Sequence, residues 1–116
     1  MLVLPLGGAA WAQAGAACVP GGTQEQVNAC ALRDFQAADV AMGVAYSDAM
    51  QALPAAERAR LRREHSAWMQ QRNATCKQAT RAFEQQPDGP RRYHECLTEQ
   101  TQERRHKLRP EPPASP

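Results

Sequence analysis

Residues 23–54 read TQEQVNACALRDFQAADVAMGVAYSDAMQALP, and this stretch decides the fold. Thr23 and Gln26 form the T-x-x-Q pattern of a capping box, in which a hydroxyl and a side-chain amide each satisfy a free backbone N–H of a first helical turn. Apolar side chains then recur in steps of three and four: Val27, Cys30 with Ala31, Phe35, Ala38, Met42, Tyr46, and Met50 with Leu53. That spacing puts them on one face of a single long amphipathic helix. Pro54 has no N–H and cannot continue this helix, but its fixed φ suits the first turn of another. Upstream, Pro20-Gly21-Gly22 is a turn signal.

Working outward, the second helix is expected over about 54–86, with an inner stripe of Leu61, His65, Trp68, Arg72, Cys76, Ala79 and Phe83. Pro87-Asp88-Gly89-Pro90 breaks it, and Pro90 suits the start of a third helix. The third stripe is Tyr93, Leu97, Gln100 with Thr101, Arg104 and Leu108. There are no alternating β-branched runs and no internal repeats. The predicted fold is all-α: a long antiparallel helical hairpin with a third packed helix. Residues 110–116 hold four prolines and are expected to be a disordered tail. A chain of 116 residues is one domain, expected over 13–109.

Two Trp, two Tyr and two Phe make a lean core that gains from covalent staples. Four cysteines, Cys18, Cys30, Cys76 and Cys96, supply an even number for two disulfides. Cys18–Cys30 would pin the entry turn to the first helix. Cys76–Cys96 would tie the second helix to the third. Disulfides imply an oxidising compartment. The first residues agree: Leu2-Val3-Leu4-Pro5-Leu6 is apolar, and Ala10-Trp11-Ala12 has the form of a signal-peptidase site, so 1–12 reads as a signal-peptide remnant. The run is too short to span a bilayer. Gly15-Ala16-Ala17-Cys18 has a weak likeness to a lipoprotein box, but a lipid on Cys18 would leave Cys30 unpaired.

With 14 Lys+Arg against 12 Asp+Glu, a formal charge of +2 makes no case for nucleic acid. The charges are unevenly spread. Residues 13–56 hold Arg33 against Glu25, Asp34, Asp39 and Asp48, whereas 57–109 hold thirteen bases against seven acids. Most of those bases alternate with Glu or Gln, as on a solvated helix face. No CxxC or CxxCH occurs, and His94 and Cys96 would diverge on a helix, so no metal or cofactor is expected. Ser47 and Ser66 have no His–Asp company, and no set of nucleophile, base and oxyanion donor assembles, so no enzyme is expected.

Asp39 does not fit an apolar stripe, since it shares a face with Phe35, Met42 and Tyr46. A buried carboxylate needs a partner. Counting outward from Pro54 sets Asp39 level with residues 69–72, and so with Arg72. Counting outward from a Cys76–Cys96 bond sets Trp68 level with Arg104, and Arg72 with Gln100 or Thr101. Asp39, Arg72 and Arg104 are therefore expected to converge around Trp68 as a buried polar cluster with a structural role, by ion pairing and aromatic stacking.

These residues resemble the lysozyme-inhibitor LprI-like family of bacterial exported proteins. The likeness rests on Cys18, Gln26-Val27-Asn28-Ala29-Cys30, Ala38-Asp39, Tyr46, Trp68-Met69-Gln70-Gln71-Arg72 with Cys76, and Cys96-Leu97-Thr98-Glu99 with Thr101, Arg104 and Leu108. Met42-Gly43 stands where the family usually has Leu-Asn, and Asp88-Gly89-Pro90 where it tends to have Gly-Gly-Ser. The resemblance implies a small periplasmic or secreted binding protein that inhibits lysozyme through protein–protein contact. The alternative is a structural or envelope-stress interaction module without lysozyme activity.

Overall fold

The computed structural model describes residues 15–109; the expected signal remnant and proline-rich tail lie outside the described residues. Three helices carry the fold: α1 (Gln24–Ala52), α2 (Ala55–Ala79) and α3 (Gly89–Leu108), with a 3-10 turn at Arg81–Phe83. No strand occurs among the described residues, and no helix there is long and apolar enough to cross a membrane. The architecture is a helical hairpin, α1–α2, with α3 packed on it.

The start of α1 is fixed locally. Gly21 has φ of +72°, which a glycine adopts without steric cost, and the Gly22 N–H donates to the Val19 carbonyl at 3.0 Å. Thr23 Oγ1 then accepts from the Gln26 N–H at 3.2 Å, and the Thr23 N–H donates to Gln26 Oε1 at 2.9 Å. Cys18 is bonded to Cys30, which clamps this turn against the helix. That bond and a lipid on the same sulfur exclude each other.

At the far end Leu53 takes an extended conformation (φ −91°, ψ 146°), as a residue before proline should. Pro54 is the N-cap of α2, one position before the first turn expected for it. Arg58 Nε donates to the Met50 and Leu53 carbonyls at 2.9 and 3.1 Å. The Met50 carbonyl otherwise accepts only the Leu53 N–H at 3.3 Å, and the guanidinium closes the end of α1.

α2 ends at Ala79, earlier than the expected 86. The Thr80 N–H and hydroxyl both donate to the Cys76 carbonyl, at 3.1 and 2.8 Å. The chain must then turn back so that Cys96 can reach Cys76, to which it is bonded. Asn28 Nδ2 holds this loop against α1 by donating to the Pro87 carbonyl at 2.9 Å. Gly89 starts α3 so close to the loop that a Cβ there would lie 2.5 Å from the Phe83 carbonyl oxygen.

The closest backbone approach is between α1 and α3. Small residues on α1 allow it: Ala31 is buried, and Ala38, Ala41 and Ala45 are half-buried. Met42, Leu97 and Leu108 complete the apolar contact. α1 and α2 meet instead through long side chains, Tyr46 on His65 and Arg72 on Asp39 and Phe35. Those contacts descend α1 while they ascend α2, so the hairpin is antiparallel.

Candidate functional site

Where the three helices face one another, the interior is as polar as it is apolar. His65, Arg72, Thr101 and Arg104 are all buried, alongside Ala31, Met42, Cys76, Leu97 and Leu108. Arg72 Nη1 donates to Asp39 Oδ1 at 3.3 Å and to Thr101 Oγ1 at 3.1 Å. Its Nε donates to Asn73 Oδ1 at 3.1 Å. Arg104 Nε donates to His65 Nδ1 at 3.3 Å, and its Nη1 to Glu64 Oε1 at 3.1 Å. Trp68 lies between the two guanidinium groups, 5.2 Å from Arg72 and 5.5 Å from Arg104. Phe35 covers Arg72 from α1, also at 5.2 Å. Cations over aromatic faces recover part of the hydration they lose on burial.

Two expected members of the buried cluster are not buried. The Asp39 side chain is 48% exposed, and Trp68 is half-buried. The cause is the wide separation of α1 and α2. Arg72 spans it: its Nη1 bonds the fully buried Thr101 hydroxyl on one side and reaches the half-exposed Asp39 carboxylate on the other. Arg104 likewise reaches Glu64, whose side chain is 60% exposed. Each buried arginine thus carries its charge outward to a solvated acid, an arrangement that avoids sealing an ion pair in the interior. Arg104 Nη2 is buried without a hydrogen-bond partner.

The sequence placed His65 on the inner stripe without a role. In the structure it is sandwiched between Tyr46 (4.1 Å) and Trp68 (5.7 Å), with rings nearly parallel. Burial first, then the Arg104 and Arg72 charges, push its pKa below the ordinary histidine value; Asp39 and Glu64 act weakly the other way. An arginine can only donate, so Nδ1 is the acceptor and the neutral ring carries its proton on Nε2. With both faces covered and this lone pair in use, His65 is built to hold Arg104 in place. The Glu64–Arg104 pair was missed because Glu64 lies outside the apolar stripe; its adjacency to His65 was the available signal. Asp39, Arg72, Trp68 and Arg104 lie around one centre, with Thr101 as the buried acceptor joining α3 to α2.

His94 occupies a separate place, beside Phe35 (6.2 Å) and Tyr93 (5.4 Å, edge-on). It lines a shallow pocket of about 420 Å³ with Lys77, Glu84, Gly89, Pro90 and Tyr93. Its Nδ1 is buried and makes no hydrogen bond, so Glu84 does not orient it as a base.

The sequence model of a family described as "Lysozyme inhibitor LprI" matches residues 16–108. No curated protein and no solved structure matches the chain. The matched span includes both disulfides, the capping box and every side chain of the three-helix interface. On that match, the chain belongs to the lysozyme inhibitor LprI family.

Proposed function

We propose that this protein is an extracytoplasmic binding module, periplasmic or secreted, that inhibits a lysozyme-type muramidase by protein–protein contact rather than by turnover. The observation that carries this reading is the family match over 16–108, whose description is that of a lysozyme inhibitor. The two disulfides support the compartment, because such bonds persist in oxidising surroundings. The scaffold supports the mode of action: covalently tied helices give a surface that loses little freedom on binding. The domain assigned to this function runs over 13–109, between a signal-peptide remnant and a proline-rich tail.

Purified, oxidised protein added at increasing molar ratio to a lysozyme clearing bacterial cell walls should slow the clearing and saturate. A reduced and alkylated sample should lose the effect. Unchanged clearing at high molar excess of oxidised protein refutes the reading. A second reading, an envelope interaction module with another partner, is favoured by one observation: the net charge of +2 gives no electrostatic attraction to a basic muramidase.

A further inference from the structure

The three helices handle surface charge differently. On α3 three surface bases are paired along the helix: Arg91 with Asp88 and Glu95, Arg92 with Asp88, and Lys107 with Glu103, while Arg105 stands without a pair among the described residues. This is the usual solvated face, with signs interleaved. α2 departs from it. Its acids are Glu57 and Glu64, both near its start, and Glu64 is engaged with Arg104 across the interface. No Asp or Glu occurs from 65 to 83. Arg60, Arg62, Arg63, Lys77 and, just beyond the helix, Arg81 are all exposed, and none has a carboxylate within ion-pair distance among the described residues.

The spacing aligns four of these cations. Arg60, Arg63, Ala67, Gln70, Ala74 and Lys77 follow one another in steps of three or four, which is a single ridge on a helix, and Arg81 stands four residues on, just past its end; Arg62 lies off this ridge. It is the ridge opposite the inner stripe of His65, Trp68, Arg72 and Cys76, so it faces away from α1 and α3. From Arg60 to Lys77 it extends about 25 Å at 1.5 Å per residue. Between the cations stand only Ala67, Gln70 and Ala74, which leave the path open.

We infer that the outer ridge of α2 is a binding surface for a linear polyanion of the cell envelope, a chain of repeated phosphodiesters lying along the helix. Arginine makes three of the four cations along the ridge, and its planar fork suits phosphate oxygens in pairs. The ridge has no aromatic side chain on which a nucleobase could stack. It also has no large aliphatic or aromatic side chain to enter a bilayer, as an interfacial helix requires. What remains is two pairs of cations, Arg60 with Arg63 and Lys77 with Arg81, about 21 Å apart along the helix at 1.5 Å per residue, a gap that a flexible phosphate chain can span. This surface stands independently of muramidase binding.

The test uses the oxidised full chain and poly(glycerol phosphate) as the probe, with affinity followed against sodium chloride. At about −0.7 in log affinity per log salt for each contact on a flexible polyanion, four contacts give a loss of about sevenfold per doubling of salt. Arg60→Glu with Arg63→Glu and Lys77→Glu should remove binding while the circular dichroism spectrum and melting curve stay unchanged. The milder Arg60→Gln with Arg63→Gln should weaken it in part, and Arg33→Glu on α1 should leave it as it was. Absence of binding at low salt, or binding that survives the triple charge reversal, overturns the proposal. So does tighter binding to phosphatidylglycerol vesicles than to the polymer, which would assign the ridge to a bilayer.

Discussion

Arg72 Nη1 is held by two acceptors, and the structure ranks them against Coulomb intuition. Thr101 is 0% exposed, and its hydroxyl oxygen lies 3.1 Å from Arg72 Nη1. Asp39 lies at 3.3 Å but is 48% exposed. Thr101→Val keeps the shape and removes the acceptor, so a buried cationic donor loses its interior partner. Hydrogen bonds to charged groups contribute about 1.5–3 kcal/mol. The extra methyl group returns a fraction of the roughly 0.8 kcal/mol of a buried CH₂, leaving a net cost of about 1–2 kcal/mol. Asp39→Asn keeps an acceptor oxygen and removes only the charge. Water screens that charge, and exposed ion pairs contribute about 0–1 kcal/mol, so a cost of about 0.5 kcal/mol is expected. Urea unfolding of the oxidised proteins, followed by far-UV circular dichroism, measures both. One molar salt should erase the Asp39→Asn cost and leave the Thr101→Val cost intact. Asp39→Asn costing as much as Thr101→Val, with the difference vanishing in salt, would show that the ion pair anchors Arg72 and that this ranking is wrong.

Three further outcomes follow from the same geometry. His65 has a lowered pKa in the folded state, so its stabilising effect is complete above the unfolded value of about 6.5 and is lost as pH falls below it. The urea midpoint should therefore drop between pH 7.5 and 5.5, and His65→Gln, which keeps an acceptor for Arg104 but does not titrate there, should flatten that slope. Replacing Cys76 and Cys96 together by alanine opens a loop with a sequence separation of 20; the cost is about 3 kcal/mol, read as a lowered melting temperature, and an unshifted melt would mean the helices hold their register without the bond. Gly89→Ala puts a Cβ 2.5 Å from the Phe83 carbonyl, whereas Gly43→Ala meets nothing within 4 Å. The first should destabilise by about 1–3 kcal/mol through forced backbone movement, and the second should stabilise by about 1 kcal/mol, the helix propensity difference; equal melting temperatures would contradict both.

The polar interior has a physical logic. Its α1 contribution is mostly alanine, which lets α3 approach but cannot fill the wider gap to α2. Arginine stems, a histidine and aromatic rings fill that gap, and their charged ends emerge at the rim beside Asp39 and Glu64. The interface then depends on directional contacts, which fix one register where a purely apolar interface would tolerate sliding.

The sequence by itself determined the elements and all their ends but one, the C-terminus of α2. Steps of three and four, a capping box at Thr23, and prolines at 54 and 90 are local signals, and a helix is a local structure. Cysteine number and family resemblance were equally readable, since both are properties of residue identity and order. Tertiary structure alone decided the spacing between helices, and through it the burial. A periodic stripe shows which residues face inward but not how far away the neighbouring helix lies. Asp39 shares the inner face of α1 and still sits in water, because Arg72 bridges a gap no periodicity encodes. The early end of α2 was hidden for the same reason: residues 80–86 carry no breaker, and the turn is imposed by the Cys76–Cys96 bond and by Gly89 against the Phe83 carbonyl.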